Sequence, residues 1–366
     1  MKSIHVTVGR PGNRKANGVL QTVFAFLENS ASGRDQVNFY MSKKIRGKSE
    51  KYFRFSYSII GVISCFHAIY KSRKEINKIY FYGGCQWRFL IMIILIRFLV
   101  NKHFIVVWVP SGAYSTNSYF KRALWKQWFV KHIEFRILSW VQFIQALSAQ
   151  ERKQMKLHLP SNLHSKIVII PNAISPPNSP LKSRRLNFGK NVKILYIGRK
   201  DVVNKGLAIV AQAIKNLKNS GMSIEFNIYG PTPHRNDEAQ LQQIVNSSNG
   251  LVRSFPAIYG LEKERIFFEH DIFILASKSE GLPTALVEAA QTGILCLATP
   301  ETNLEKDDFR AGVKKIKYHS NSIAKEILLV AKNKRRKSDV SKQVIHFKNK
   351  FNFENIRQLH DVTFKN

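Results

Sequence analysis

The chain of 366 residues carries 58 Lys and Arg against 24 Asp and Glu, a formal net charge of +34, with 44% hydrophobic and 11% aromatic residues. That length exceeds one ordinary core and suits two domains, and the apolar content excludes a disordered chain. Three separated cysteines, Cys65, Cys85 and Cys296, exclude a disulfide framework and a zinc cluster and read as reduced thiols in a cytosolic protein.

The opening MKSIHVTVGRPG turns polar after eight residues, which is not the pattern of a signal peptide. Ser3–Val8 reads as a strand, followed by a loop rich in Gly, Pro and Asn and a helix from about Gly18 to Asn29. Further strands are predicted at Val37–Met41, Lys78–Gly83, Phe104–Val109, Val141–Leu147 and Ile167–Ile170. Helical stretches separate them at Ser49–Arg73, Trp87–Val100, Ser118–Trp140 and Ala149–Leu157. The most apolar run, FLIMIILIRFLV from Phe89 to Val100, has 12 residues and contains Arg97, too short for a spanning helix. It reads as a buried helix. Short apolar strands alternating with longer helices predict a parallel sheet with helices on both faces.

From Pro171 to Lys190 the periodicity lapses, and PNAISPPNSPLKSRRLNFGK holds four of the chain's twelve prolines, the mark of a hinge. The alternation then restarts, with strands at 192–198, 224–230, 272–277 and 294–299 and helices at Lys205–Asn219, Asp237–Asn246 and Pro283–Thr292. The tail FKNKFNFENIRQLHDVTF reads as one final amphipathic helix. The expected organisation is a Rossmann-like domain at 1–172, a second at 173–345, and a terminal helix at 346–366 packing back on the first. Two doubly wound domains joined by a hinge would place a ligand cleft between their strand carboxyl edges.

The charge is uneven. Residues 1–170 hold 27 basic and 6 acidic side chains, residues 171–330 hold 21 and 15, and the last 36 hold 10 and 3. A field concentrated in one half attracts polyanions, and an anionic membrane surface or an anionic lipid substrate ranks ahead of nucleic acid. The basic residues are not interleaved with a recognised nucleic-acid-binding module.

Two segments hold the candidate chemistry. In YIGRKDVVNKGLAIVAQAI a strand ends at Gly198, a loop carries Arg199, Lys200 and Lys205, and a helix begins beside Gly206. A helix N-terminus favours an anion, and Arg199 and Lys205 supply a planar fork and a point charge suited to a diphosphate. In SEGLPTALVEAAQTG, Glu280 leaves the end of a strand and Glu288 follows with seven residues between them. Helical side chains tilt toward the N-terminus, so Glu288 leans back toward the loop of Glu280. The same wheel places Glu288 on a polar side with Gln291 and Thr292, opposite Ala285, Leu286, Val287, Ala289 and Ala290. A solvent-facing glutamate near a helix start has that same pattern, so spacing alone leaves both readings open.

The ordered set of motifs resembles a GT-B glycosyltransferase of family 4, the retaining, nucleotide-sugar-dependent enzymes. IPNAI (170–174), YIGRKDVVNKGL, FNIYGP (226–231), SEGLPTALVEAAQTG and FNFENI (351–356) match the family's hinge, diphosphate, strand, Glu-x7-Glu and terminal-helix patterns in order. In the first half, YGGCQWRFL, VVWVPSGAYS and ALSAQER match more loosely. Ser111 stands before Gly112 where the family often has a basic residue, and the donor loop NRKANGVLQT has only Gly18 where two glycines are frequent. The resemblance implies an α/β GT-B fold, two Rossmann-like doubly wound domains facing across a cleft. It implies that Arg199, Lys205 and Glu280 form the catalytic set, the cations on the donor diphosphate and Glu280 on sugar hydroxyls. Glu288 would hold the ribose, with Gly198, Gly18, Gly281, Leu282 and Pro283 lining the donor, and Ser111 and Gly112 on the acceptor or donor-sugar side. It implies a UDP- or GDP-sugar donor, no metal or other cofactor, and no Asp-x-Asp metal motif follows a strand.

The expected function is transfer of a hexose-type sugar to a lipid-linked oligosaccharide in surface polysaccharide assembly, O-antigen or capsule. The expected place is cytoplasmic, peripheral on the anionic inner face of the membrane, without a nucleic-acid partner. The competing readings are a polyanion- or nucleic-acid-binding protein, a GT-B epimerase or glycosidase, and an inactive relative with Ser111 at the altered position. Paired carboxylates serve glycoside hydrolysis, but a hydrolase has no need of diphosphate-suited cations.

Overall fold

The computed structural model describes residues 2–8, 36–42, 52–56, 58–83, 87–100, 104–110, 113–114, 123–174, 177, 191–217, 221, 223–332 and 336–364. The chain forms two compact units, one of Met1–Ala173 with Phe353–Asn366 and the other of Ile174–Asn352. Gly18, Ser111 and Gly112, the predicted helix at 18–29 and most of the Pro-rich stretch lie outside the described residues.

In the first unit the strands are β1 (Lys2–Val8), β2 (Gln36–Ser42), β3 (Tyr52–Ser56), β4 (Ile76–Tyr82), β5 (Ile105–Val109), β6 (Phe143–Ala146) and β7 (Ile167–Ile169). They form one sheet in the order β3-β2-β1-β4-β5-β6-β7, with every pair parallel. Ile4 aligns with Val37 on one side and Ile79 on the other, and Val6 with Phe81. The order reverses between β1 and β4. Helices α1 (Ile59–Lys71) and α2 (Trp87–Leu99) connect strands that step in one direction along the sheet. So does α3, which runs Leu124–Phe129, passes through a π-helical turn Val130–Glu134 and resumes at Phe135–Leu138. Right-handed crossovers put these three helices on one face, their N-termini at the strand carboxyl edge.

The sequence reading ran a helix from Ser49 through Arg73, and the structure corrects it. Tyr52–Ser56 is strand β3, because YFRFS is rich in the aromatics that favour a strand, and Ser58 then caps α1 by accepting from the Gly61 amide at 3.2 Å. Among the described residues no helix is long and apolar enough to cross a membrane. In α2, Phe89, Leu90, Met92, Ile93 and Ile96 are buried, whereas Phe98 and Leu99 face outward.

In the second unit, β8 (Asn191–Ile197), β9 (Ser223–Tyr229), β10 (Val252–Phe255), β11 (Ile272–Leu275), β12 (Leu295–Ala298) and β13 (Lys314–Lys315) form a parallel sheet in the order β10-β9-β8-β11-β12-β13. Its longer helices are α4 (Leu207–Asn216), α5 (Arg235–Asn246), α6 (Gly260–Glu269), α7 (Thr284–Thr292), α8 (Ser320–Lys332) and α9 (Arg336–Lys350). Ile194, Tyr196, Phe226, Ile228, Phe273 and Leu297 sit in a core covered on both faces. The order reverses between β8 and β11, which is where an open α/β sheet binds its ligand.

The single tail helix of the sequence reading is two. Helix α9 ends at Lys350, Phe351 is buried with its carbonyl accepting from the Ile174 amide at 2.9 Å, and α10 (Phe353–Thr363) belongs to the first unit. There Phe364 packs on Phe143 and Tyr80, ring centroids 4.9 and 5.9 Å apart.

Candidate active site

The site is built at the reversal point of the second sheet, from the loops that leave β8 and β11. The first loop is tied by its own backbone. The Gly198 amide donates to the Tyr229 carbonyl and the Lys200 amide to the Pro231 carbonyl, both at 2.9 Å. The buried Tyr196 hydroxyl donates to the Arg199 carbonyl at 2.7 Å. Asp201 accepts from the Asn204 amide at 3.0 Å and from its side-chain amide at 2.5 Å. Burial alone would raise the Asp201 pKa, but these bonds and the charges of Arg199 and Lys205 hold it below the usual carboxylate value. Lys200 points inward and donates to Ser254 Oγ at 2.7 Å, and burial lowers its pKa against the pull of Glu238.

Two glycines let this loop close on its neighbours. Gly230 has φ +146°, and a Cβ there would lie 1.8 Å from the Gly198 carbonyl oxygen. Gly206 caps α4 in the left-handed region, φ +65°, where a Cβ would lie 2.3 Å from the Ala276 carbonyl oxygen at the end of β11. The Asn204 carbonyl then accepts from the Lys278 amide at 2.8 Å, which locks the two loops together. Gly206→Ala is expected to cost at least about 2 kcal/mol of second-unit stability, since both the backbone angle and the space exclude a side chain. Chemical denaturation with a far-ultraviolet readout checks it.

The lock sets Lys205 on Glu280, Nζ to Oε1 2.5 Å, with the side chains only 13% and 14% exposed. Ser277 Oγ donates to the same carboxylate oxygen at 2.6 Å. Behind it, Asn303, in the left-handed region at φ 63°, donates from its side-chain amide to the carbonyls of Glu280 and Gly281. Thr299 Oγ1 fastens the Ser277 carbonyl at 2.7 Å. Arg199 stands exposed at the mouth of the first loop. Gly281 and Leu282 are half-buried and Pro283 is buried beside them. Pro283, expected at the first helical position, lies just before α7, its carbonyl accepting from the Leu286 and Val287 amides.

Glu288 is half-buried and paired with Lys263 of α6 through Oε2. The structure therefore gives each acid its own lysine. The wheel reading that set Glu288 among solvent-facing polar residues is corrected at Gln291 and Thr292. Both are buried, and Gln291 donates to the Phe347 carbonyl at 3.3 Å, because α9 covers the end of α7. Lys263, Ser277 and Asn303 had no place in the sequence reading. The S-x-x-E spacing of Ser277 and Glu280 carries a readable hydrogen-bonding signal, whereas Lys263 lies on a helix that the reading did not place.

What this arrangement can do is hold an anion. A helix start, an exposed guanidinium and an ammonium face the carboxyl edge of the sheet, with a carboxylate fixed among them. Residues 191–333 match the family model of Glycosyl transferases group 1. The chain has the GT-B fold, and its second unit carries a glycosyl transferase group 1 domain. It is similar to HepE of Anabaena in complex with UDP and glucose, at 11% identity over 98% of each chain and a TM-score of 0.75. It is similar to sucrose-phosphate synthase of Thermosynechococcus elongatus, at 15% identity over 100% of this chain and 99% of that one, TM-score 0.76. An E. coli trehalose-6-phosphate protein bound with UDP-2-fluoro glucose aligns at 11% identity over 98% of each chain, TM-score 0.73. At these identities the likeness is one of fold. No curated protein matches the sequence.

Proposed function

We propose that the chain moves a hexose-type sugar, with retention, from a nucleotide sugar to a lipid-linked saccharide acceptor in surface polysaccharide assembly, O-antigen or capsule, at the cytoplasmic face of the membrane. The observation that carries this is the Lys205–Glu280 pair fixed at the reversal point of the second sheet beside Arg199. Solved neighbours bound to UDP, UDP-glucose and UDP-2-fluoro glucose support a uridine donor over GDP.

In this reading Arg199 and Lys205 hold the donor diphosphate and stabilise charge on the departing nucleotide. An ammonium has three donors, so Lys205 can keep Glu280 and still bind a phosphate oxygen. Glu280 accepts from the donor-sugar hydroxyls, with Gly281, Leu282 and Pro283 lining its flank. Glu288 accepts from the ribose while Lys263 engages its other oxygen. The anomeric C–O bond to the diphosphate breaks, the acceptor oxygen bonds on the same face, and its proton passes to the leaving phosphate. The cations do the neutralising, so the reading requires no metal. The first unit, which holds most of the net charge, meets the anionic leaflet and the acceptor's diphosphate.

The test is thermal stability with UDP, GDP and their glucose conjugates. UDP-glucose at a hundred times its Kd is expected to stabilise by about 2.7 kcal/mol. Stabilisation by GDP alone would overturn the uridine donor, and none from either nucleotide would sink the donor reading. Arg199→Ala is expected to lower kcat/KM about a hundredfold. Full activity in that variant removes the diphosphate assignment.

A further inference from the structure

The first turns of helix α3 hold no fully buried residue. In LWKQWF, Leu124 is 83%, Trp125 67% and Trp128 58% exposed, and no residue of Leu124–Phe129 is buried. An apolar helical start that leaves two indoles in solvent is a docking surface in want of a partner. The partner's chemistry is written further along the same helix. Trp128 contacts His132, ring centroids 5.2 Å apart, and Lys126 stands 5.4 Å over the Trp125 ring. Beyond them opens a cavity of about 560 Å³ whose lining includes Lys131, His132, Phe135, Arg136 and His158, with exposed Leu157 at its wall. The helix's one acid, Glu134, is buried under the Tyr114 hydroxyl, so its outward charge is wholly basic.

We infer that α3 is the element that seats the protein on an anionic phospholipid bilayer, Leu124, Trp125 and Trp128 entering the interface and the Lys131–Arg136 cavity taking a lipid phosphate. The inference rests on the membrane-peripheral reading above and names its surface. Leu124, Trp128, His132 and Arg136 follow one another at steps of four and are all exposed, so they line one outward side of the helix, with exposed Lys131 beside them. A helix with this division lies in the plane of the interface, indoles at headgroup depth and cations on phosphates. Exposed Ile59 and Ile60 of α1 and Trp87 of α2 stand in the first turns of the neighbouring helices, at the same carboxyl edge of the sheet. The apolar rim thus extends along the edge where a lipid-borne acceptor is handed to the enzyme.

The experiment is cosedimentation of the full chain with vesicles of phosphatidylcholine alone or with phosphatidylglycerol, across a salt series. Wild type is expected to bind the mixed vesicles and not the neutral ones. Trp125→Ser with Trp128→Ser should weaken binding at least about tenfold. Lys131→Glu with Arg136→Glu should weaken it at least about thirtyfold and flatten the salt dependence, from roughly a fivefold contribution per basic side chain lost and further repulsion from the new acids. Stabilisation by UDP, measured on each variant, shows that the donor site is folded and is expected to be unchanged. Unaltered vesicle binding in both double variants overturns the assignment to α3 while leaving the membrane reading in place. Wild-type indifference to anionic vesicles overturns both. Self-association lost in the tryptophan variant without any vesicle binding would assign the face to a second copy and overturn the inference. Loss of UDP stabilisation in wild type bears on the donor reading alone.

Discussion

Lys205→Ala should lower kcat/KM for sugar transfer by about three orders of magnitude. Removing one preorganised donor to a developing anion costs a factor of 10² to 10³, and a charged donor stands at the upper end. The structure adds a second loss. Glu280 would keep Ser277 but lose its ammonium while remaining mostly buried, so the second unit should also lose about 2 kcal/mol, below the cost of breaking a fully buried pair. Glu280→Gln separates the two effects. A glutamine oxygen still accepts from Ser277 and Lys205, so stability should stay near wild type while turnover falls about a hundredfold. Steady-state kinetics with urea denaturation on both variants decides it. A Lys205→Ala enzyme that is destabilised yet fully active would make the pair a structural strut, and the catalytic assignment would fall.

The parts of this site that the sequence revealed were those carried by local pattern. Strand, glycine, paired cations and helix start occur within ten residues around Gly198 and Lys205, and Glu-x7-Glu within nine more from Glu280 to Glu288. What joins them is not local. The lock between the Asn204 carbonyl and the Lys278 amide spans 74 positions, counted from one loop to the other, and depends on β11 returning beside β8. A crossover of that kind leaves no trace in hydrophobic period. Lys263 escaped for a related reason. GLEKERIFFE presents a short apolar stripe behind four charges, and the strand before it, VRSF, is a short edge strand with two outward polar residues. Gln291 is polar yet fully buried, which a helical wheel cannot show. Its amide donates to the Phe347 carbonyl of α9 and to the Ile174 carbonyl, a demand set by tertiary packing. Likewise YFRFS was absorbed into a helix by the strong apolar period that follows it, although its aromatics favour a strand.

Acid should unfold the first unit before the second. His5 is buried within β1, its ring stacked on Tyr80 with centroids 4.6 Å apart, Nδ1 bonded to the Tyr82 hydroxyl at 2.9 Å and Nε2 to Ser3 Oγ at 3.0 Å. His360 of α10 lies beside the same Tyr80, with centroids 5.9 Å apart. Burial lowers each histidine from 6.5 to about 3, with His360 adding to the effect on His5 and Lys78 to that on His360. Both rings are therefore neutral in the fold, whereas the unfolded chain takes up protons near 6.5. Their contribution is whole above that value and declines as pH falls toward 3, by about 2 kcal/mol per histidine at pH 5. Against a total of roughly 5–15 kcal/mol for a domain, that loss is decisive. The second unit carries the opposite arrangement in Asp308. Burial works against its carboxylate, but His346 at 2.7 Å and Lys350 at 2.8 Å hold its pKa below the ordinary 3.8. Its contribution persists until pH falls below 3.8, so the second unit should outlast the first. Tryptophan fluorescence follows the first unit selectively, because Trp87, Trp108, Trp125, Trp128 and Trp140 all belong to it. Between pH 6.5 and 4 the denaturation midpoint read by fluorescence should fall steeply while UDP stabilisation of the second unit survives. His360→Phe keeps the ring packing against Tyr80 and Phe364 and removes one titrating group, so it should flatten the fall by about half. An unchanged slope in that variant would show that other groups set the acid limit.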